Sequence, residues 1–175
     1  MKLPRKASTL RPLATELLDD CGISDAPVPI EDVAEFLYAE IRYSPFAGEL
    51  AGILVRNEGN QAVIGVNSAH HPNRQRFTIA HECGHLLLHK GKDVHIDRSF
   101  RINRRDQRSA QAVDPIEIEA NRFAAELLMP FSMIISDIVE FDIEDDEVLK
   151  DLADKYQVSL QALTFRINNL MKAFI

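Results

Sequence analysis

The sequence contains no tryptophan, only two cysteines and no long hydrophobic run. The cysteines, Cys21 and Cys83, lie far apart and form no Cys-x-x-Cys pair, which argues against a disulfide framework. No apolar stretch approaches the roughly 20 residues that a membrane-spanning helix needs. The first residues, MKLPRKASTLRP, lack the apolar segment of a secretory signal. Together these absences predict a cytoplasmic protein with reduced thiols and no membrane partner.

Positive charge is also scarce. Lys and Arg number 20 against 27 Asp and Glu, which gives a net charge of −7 and a pI of about 5.3. This acidic balance gives no reason to expect nucleic acid as the main partner. Hydrophobic residues make up 46% of the chain and charged residues 27%, as in ordinary globular domains, and 175 residues suffice for one domain with a small appendage.

Hydrophobic spacing divides the chain into a mixed first part and a helical second part. The pattern predicts two helices, over Ser8–Cys21 and Ile30–Tyr38. It also predicts three strands, over Glu40–Tyr43, Gly52–Arg56 and Ala62–Val66. Residues 57–60, with the sequence NEGN, predict a hairpin turn between the last two strands. From Pro72 onward the pattern indicates helices and loops, with no strand. The sequence therefore predicts an α+β fold, in which a small antiparallel sheet packs against a helical core.

Two histidines one helical turn apart stand in the segment RQRFTIAHECGHLLLHKG. His81 and His85 are spaced i and i+4, so their rings leave the same side of a helix and can reach one metal ion at roughly 2.0–2.1 Å. Glu82 is rotated by about 100° from His81 and is placed to act on a metal-bound water as general base. The surrounding apolar residues predict a buried helix, in which Gly84 allows a close approach by another backbone or by a substrate.

A catalytic metal site needs a third protein ligand and one open position. A histidine ten residues after His81 is not available, because Gly91 occupies that position. His89 is two turns along the same helix, too far to share an ion with His81, and is expected near the carbonyls at the helix end. Cys83 points away from His81 and is expected to be a buried thiol rather than a nucleophile.

A second helix, in DPIEIEANRFAAELLMP, offers the third ligand. Asp114 is a good N-cap, and Glu117 shares a small, apolar face with residues suited to close helix packing: Ala120, Asn121, Ala124 and Leu128. Glu119 shares a face with Arg122 and Glu126 that is expected to be solvated. The pattern thus favours Glu117 as the ligand over Glu119.

Two further interpretations concern this second helix. Glu117 lies three residues after Asp114, where the glutamate of a capping box belongs, so a capping role is the alternative to a ligand role. Asn121, one turn after Glu117, is placed to hydrogen-bond a ligand histidine or the ligand carboxylate.

The motifs NSAHHPNRQRFTIAHECGHLLLH and EIEANRFAAELLMP together resemble the ImmA/IrrE family of metallopeptidases. The resemblance covers roughly Asp32 to Pro130. It implies a gluzincin-type site that holds one divalent metal, zinc or another such as manganese. The resemblance implies that the metal ligands are His81, His85 and Glu117. It implies that Glu82 is the catalytic base and that Asn121 hydrogen-bonds to a ligand.

The resemblance also implies a function. Family members commonly cleave or otherwise inactivate a helix-turn-helix repressor, so we expect an endopeptidase that relieves repression. The alternatives are a non-catalytic regulator that binds its repressor partner stoichiometrically and a DNA-binding regulator with a structural metal. In similar enzymes the strand before the HExxH helix pairs with the substrate, which points to Ala62–Val66. Tyr43, His95 and loop arginines are all open as the group that stabilises the oxyanion.

The last 40 residues predict a separate helical module. We place a metallopeptidase domain at 1–135, with its motif core at 32–130, and a helix-turn-helix-like module at 136–175. A DNA-binding interpretation would use Gln161, Thr164, Arg166 and Asn168. However, residues 137–175 contain nine acidic and four basic residues, so a packing or partner-docking role is expected and direct DNA binding is not.

The segment 97–112, between the two motif helices, has the opposite character, because it carries five arginines. It is interpreted either as a solvated loop or as a docking surface for an acidic part of the substrate.

Overall fold

The computed structural model describes residues 3–57, 61–89, 94–98 and 114–172, except for the side chains of residues 97 and 98. The elements are, in chain order, α1 (Ala7–Asp20), α2 (Ile30–Phe36), β1 (Ala39–Ser44), β2 (Leu50–Arg56), β3 (Ala62–Asn67), α3 (Pro72–Leu88), β4 (Val94–Arg98), α4 (Pro115–Leu128), α5 (Phe131–Glu140), α6 (Asp146–Tyr156) and α7 (Leu160–Met171). No helix within these ranges has the length and apolarity to cross a membrane. The predicted hairpin turn and the arginine-rich segment fall largely outside the described residues.

The predicted α+β fold is confirmed, and its sheet has the order β1-β3-β2-β4. β2 runs antiparallel to β3 and β4, as expected, but β1 pairs in parallel with β3, so the sheet is mixed. β3 therefore lies inside the sheet, with Ile64 opposite Ile41 on one side and Leu54 on the other. Ile64 and Leu54 are both fully buried, as residues of inner strands usually are.

The expectation of no strand after Pro72 was wrong. Val94–Arg98 forms β4, which pairs antiparallel with β2 at the edge of the sheet and places His95 opposite Leu54. Its sequence, VHIDR, is too short and too polar to give a recognisable strand pattern. The strand exists because β2 offers it an edge for hydrogen bonding, which is a feature of the folded sheet and not of these five residues.

One hydrophobic core runs through the molecule. It joins residues of the sheet and α3 to residues of the last two helices, for example Ile64 and Ile79 with Leu152, Tyr156 and Leu163. The core is continuous across residue 135. The proposed division into a peptidase domain and a C-terminal module stays a prediction.

The outer face of α4, which was expected to be solvated, is buried. Glu119 accepts a hydrogen bond from the backbone N–H of Arg5 at 2.8 Å, and Glu126 accepts two from the guanidinium of Arg166 at 2.7 and 2.5 Å. Arg11 lies 3.5 Å from Glu126 as well. The charged residues of this segment favoured a solvated face. The arginines that pair with these carboxylates are distant in the chain: Arg166 lies on α7, Arg11 on α1 and Arg5 just before α1.

Candidate metal centre

α3 is held close to two neighbours by two glycines. A Cβ atom on Gly84 would lie 3.2 Å from Cα of Ala120, so only glycine lets α3 and α4 approach this closely. A Cβ atom on Gly52 of β2 would clash with Cγ2 of Thr78 and lie 3.4 Å from Oε1 of Glu82. The close backbone approach predicted for Gly84 is therefore confirmed, while the matching role of Gly52 was not foreseen.

The structure brings four potential ligands together. Nε2 of His81 is 3.0 Å from Nε2 of His85 and 3.3 Å from Oε2 of Glu117. Oε1 of Glu117 lies 3.5 Å from Nε2 of His85 and 3.5 Å from Nε2 of His95. All four residues offer a ligand atom within 4.8 Å of the others. Glu117 thus faces the histidines, as its helix face predicted.

The hydrogen bond at Nδ1 of His81 determines whether Nε2, which faces the cluster, carries a proton. Nδ1 of His81 is 3.1 Å from Oδ1 of Asn121, and this oxygen can only accept, so Nδ1 is the donor. A neutral His81 ring then has its lone pair on Nε2, which faces the cluster. Asn121 thus contacts a histidine of the cluster, and its role in orienting a metal ligand stays a prediction.

His85 is oriented by a longer chain of hydrogen bonds. Oε2 of Glu119 lies 3.2 Å from Nε2 of His89, and Nδ1 of His89 lies 3.3 Å from Nδ1 of His85. The carboxylate accepts from Nε2 of His89, which leaves Nδ1 of His89 to accept from Nδ1 of His85. His85 therefore also turns a lone pair on Nε2 toward the cluster. His89 lies at the end of α3, as expected, where it is the C-cap, while Arg56 donates to the carbonyls of His85 and His89.

These lone pairs make the site fit a metal ion. Two acceptor nitrogens 3.0 Å apart, with a carboxylate oxygen at 3.3 and 3.5 Å, repel one another unless they share a cation. Ligand atoms of a tetrahedral site lie about 3.4 Å from one another when each is roughly 2.0–2.1 Å from the metal, and the three separations measured here are close to that value. Imidazole nitrogens with a carboxylate oxygen suit zinc and neighbouring divalent transition metals.

Electrostatics gives two of these residues the protonation states that ligands require. Burial, reinforced by His81 and His95, lowers the pKa of His85 to about 4, so this ring is neutral at pH 7. Burial alone would raise the pKa of Glu117, but the imidazoles of His81 and His85 beside its carboxylate outweigh burial and hold this pKa well below its usual range. A neutral His85 and an ionised Glu117 are ready to bind a metal without losing a proton.

Glu82 lies outside the group of four, as expected of a base that is not a ligand. Its side chain is fully buried on α3, beside Gly52 of β2. Among the open candidates for the oxyanion, Tyr43 is excluded, because it lies on the far edge strand β1 and donates to Glu31 at 2.9 Å. Cys83 is completely buried, and burial raises the pKa of its thiol, which rules out a nucleophilic thiolate.

His95 is the one member of the cluster to which the sequence assigned no definite role. Its ring lies 3.9 Å from that of His85, centroid to centroid, and its strand was not predicted. The signal available in the sequence was an isolated histidine between Val94 and Ile96, an alternation that indicates a strand face only once β4 is known. The loop arginines, also open as candidates, lie outside the residues that the structure describes.

Comparison with known proteins identifies the family. A family model described as the IrrE N-terminal-like domain, within a peptidase family, matches residues 35–168. The chain belongs to this family. The match spans both motif helices, so the resemblance to ImmA/IrrE metallopeptidases is confirmed.

Two relatives and one solved structure are similar to this ImmA/IrrE chain. The radiation response metalloprotease IrrE of Deinococcus radiodurans is 34% identical over 107 residues, which are 60% of this chain and 30% of that protein. The uncharacterized immunity region protein 2 of Bacillus phage phi105 is 29% identical over 103 residues, 58% of this chain and 59% of that protein. This chain thus spans less than two thirds of either relative. A Mycobacterium tuberculosis transcriptional regulator shares the fold, with a TM-score of 0.57 and 16% identity over 89% of this chain and 45% of that one.

Proposed function

We propose that this chain is a metal-dependent endopeptidase with His81, His85 and Glu117 as zinc ligands and Glu82 as general base. The observation that carries the proposal is the convergence of Nε2 of two buried histidines on one partly exposed carboxylate, that of Glu117, beside the fully buried Glu82. Membership in a family of metallopeptidase type supports it. Manganese or another divalent transition metal would suit the same ligands.

The protein's own residues divide the work of peptide hydrolysis. Bound at this site, a divalent metal supplies Lewis acidity that lowers the pKa of a water and polarises the scissile carbonyl. Glu82 accepts the proton of the attacking water and delivers it to the leaving amine. Asn121 and His89 hold the rings of His81 and His85, respectively, so that Nε2 of each faces inward.

We propose that the substrate pairs as an extended strand with the edge of β4. The prediction that Ala62–Val66 pairs with the substrate was wrong, because β3 is already bonded to β1 and β2 on its two sides. Within the described part of the chain, no strand pairs with the outer edge of β4, and this strand carries His95 into the cluster. An extended peptide that adds to this edge would pass directly over the candidate metal site.

We propose a helix-turn-helix repressor as the substrate. The support is the family resemblance and the similarity to a phage protein named for an immunity region. The alternative of a DNA-binding regulator is disfavoured, because Arg166, one of the four residues assigned to base contacts, is buried and bonds to Glu126 and to the carbonyl of Met129.

Substitution of Glu82 tests catalysis apart from binding. Glu82→Gln keeps the side chain's shape and leaves the ligands in place, so the variant should bind metal normally. It should cleave the helix-turn-helix repressor encoded beside the gene about 10²–10⁴-fold more slowly, because the base is gone. The assay compares cleavage with and without a chelator, with the exposed Glu16→Gln as the matched control. Full cleavage by metal-loaded Glu82→Gln would refute the mechanism, and binding without cleavage by the native protein would favour the stoichiometric regulator.

A further inference from the structure

His95 differs from the other three members of the cluster in how it is held. His81 and His85 lie on α3 and Glu117 on α4, two helices packed together through Gly84. His95 lies on a five-residue strand at the edge of the sheet, which only β2 joins among the described strands. Three members are therefore fixed by helix packing, while the fourth depends on an edge strand.

The position of His95 is that of a ligand. Its Nε2 lies 3.5 Å from Oε1 of Glu117, which equals the distance from that oxygen to Nε2 of His85. Its neighbours on β4, Val94 and Ile96, are about half exposed, at 48% and 50%, and point away from the cluster. β4 therefore presents His95, and neither of these neighbours, to the metal site.

A fourth protein ligand has a consequence for access. Three ligands leave a tetrahedral metal one open position for water, whereas four close it, as in structural sites. Since hydrolysis needs the open position, a site closed by His95 is inactive until this ring moves. The ring is carried by the strand to which we assign the substrate.

We propose that His95 is the fourth metal ligand of the substrate-free protein and that it leaves the metal when a peptide pairs with the outer edge of β4. The inference rests on the proposed function, because it requires a metal at the other three residues. Two states are in equilibrium, one with His95 on the metal and one with His95 displaced. The peptide shifts this equilibrium toward the displaced state by the amount by which it binds that state more tightly. The rival role, donation of a hydrogen bond to the oxyanion, keeps His95 off the metal at every stage.

Cobalt(II) in place of zinc reports the coordination geometry and the ligand set of the metal without any need for activity, and comparison with His95 variants shows whether His95 belongs to that set. The substrate-free native protein should give the visible absorption of a site with four protein ligands. His95→Ala should lower metal affinity, measured by competition with a chelator, by about 10-fold or more, and change the cobalt spectrum. Added imidazole should restore that spectrum by filling the vacated position. His95→Gln serves as a second variant in case the alanine variant misfolds, which circular dichroism would detect.

Displacement by substrate is tested in the Glu82→Gln protein, where the peptide is not consumed. The helix-turn-helix repressor of the cleavage assay, added as the peptide substrate, should move its cobalt spectrum toward that of His95→Ala. The matched control is His71→Asn, since His71 caps α3 outside the cluster and asparagine keeps the cap. It should change neither affinity nor spectrum.

The outcomes separate this inference from the proposed function. If the native protein binds no metal, or if His81→Ala binds it equally well, the proposed function fails. If those tests succeed but both His95 variants keep native affinity and spectrum, only the ligand role of His95 is overturned. A loss of about 10²–10³-fold in cleavage with an unchanged spectrum would establish the oxyanion role instead. A spectrum that does not respond to the peptide would overturn the displacement.

Discussion

The individual histidines are distinguished by what their outer nitrogens contact. Asn121 accepts from His81, and His89 accepts from His85 while donating to Glu119. Each outer contact leaves Nε2 of a ligand ring unprotonated and aimed at the cluster. The two chains of contacts thus prepare the site before any metal arrives, since the rings need neither rotate nor deprotonate.

Substitutions at these residues should lower metal affinity in a graded order. His81→Ala, His85→Ala and Glu117→Ala each remove a ligand and should nearly abolish stoichiometric metal binding. Asn121→Leu removes only the acceptor for His81, so it should weaken binding by about 10–100-fold. Metal content after dialysis and competition with a chelator measure both effects, with exposed Glu40→Ala as the control. Full metal content in Glu117→Ala would show that Glu117 serves only as a capping residue.

At the scale of secondary structure, the site depends on how closely α3 lies against its neighbours. Gly52 brings β2 onto Thr78 and Glu82, and Gly84 brings α4 onto the other side of the helix. Glu82 is therefore buried against the sheet, while His81 and His85 face Glu117 on α4. A helix held this way has little freedom to separate Glu82 from the two histidines.

Gly52→Ala should disturb this contact in a way that a second substitution repairs. The new methyl group would clash with Cγ2 of Thr78, so α3 must shift and the free energy of unfolding should fall by about 1–3 kcal/mol. Thr78→Ser deletes that Cγ2 and should restore most of the stability in the double variant. Urea denaturation measures the cycle. Equal losses with and without Thr78→Ser would show that the clash is not the cause.

Sequence patterns predicted those residues of the candidate site whose positions follow from spacing within a single helix. The i, i+4 spacing selected His81 and His85, and the small face of the second helix selected Glu117; the structure brings these residues together, and their roles as ligands stay predictions. It misjudged Glu119, because the residue that buries it, Arg5, lies far away in the chain. It gave His95 no definite role, because β4 exists only through its pairing with β2. Nonlocal contacts, which no single segment encodes, account for both failures.

At the scale of the whole molecule, both ends of the described chain pack on α4, the helix that carries Glu117. Near the first end, Arg5 contacts Glu119, and the carbonyl of Arg5 accepts from Arg122 at 2.6 Å. From the last helix, Arg166 forms two hydrogen bonds with Glu126. The C-terminal helices therefore support α4, the helix that brings Glu117 to the candidate metal site.

Removing Arg166 should thus destabilise the whole protein. Among the described residues, Arg166→Met leaves the buried carboxylate of Glu126 only its ion pair with Arg11 at 3.5 Å, so we expect a loss of about 3 kcal/mol in the free energy of unfolding. The double variant Glu126→Leu/Arg166→Met removes both charges and should recover most of that loss. The control is Lys150→Met, which breaks an exposed ion pair and should cost less than about 1 kcal/mol. Urea denaturation should show one transition that includes the metal site. If Arg166→Met instead lost only a separate early transition and kept native metal affinity, the last helix would be an independent module with no part in holding α4.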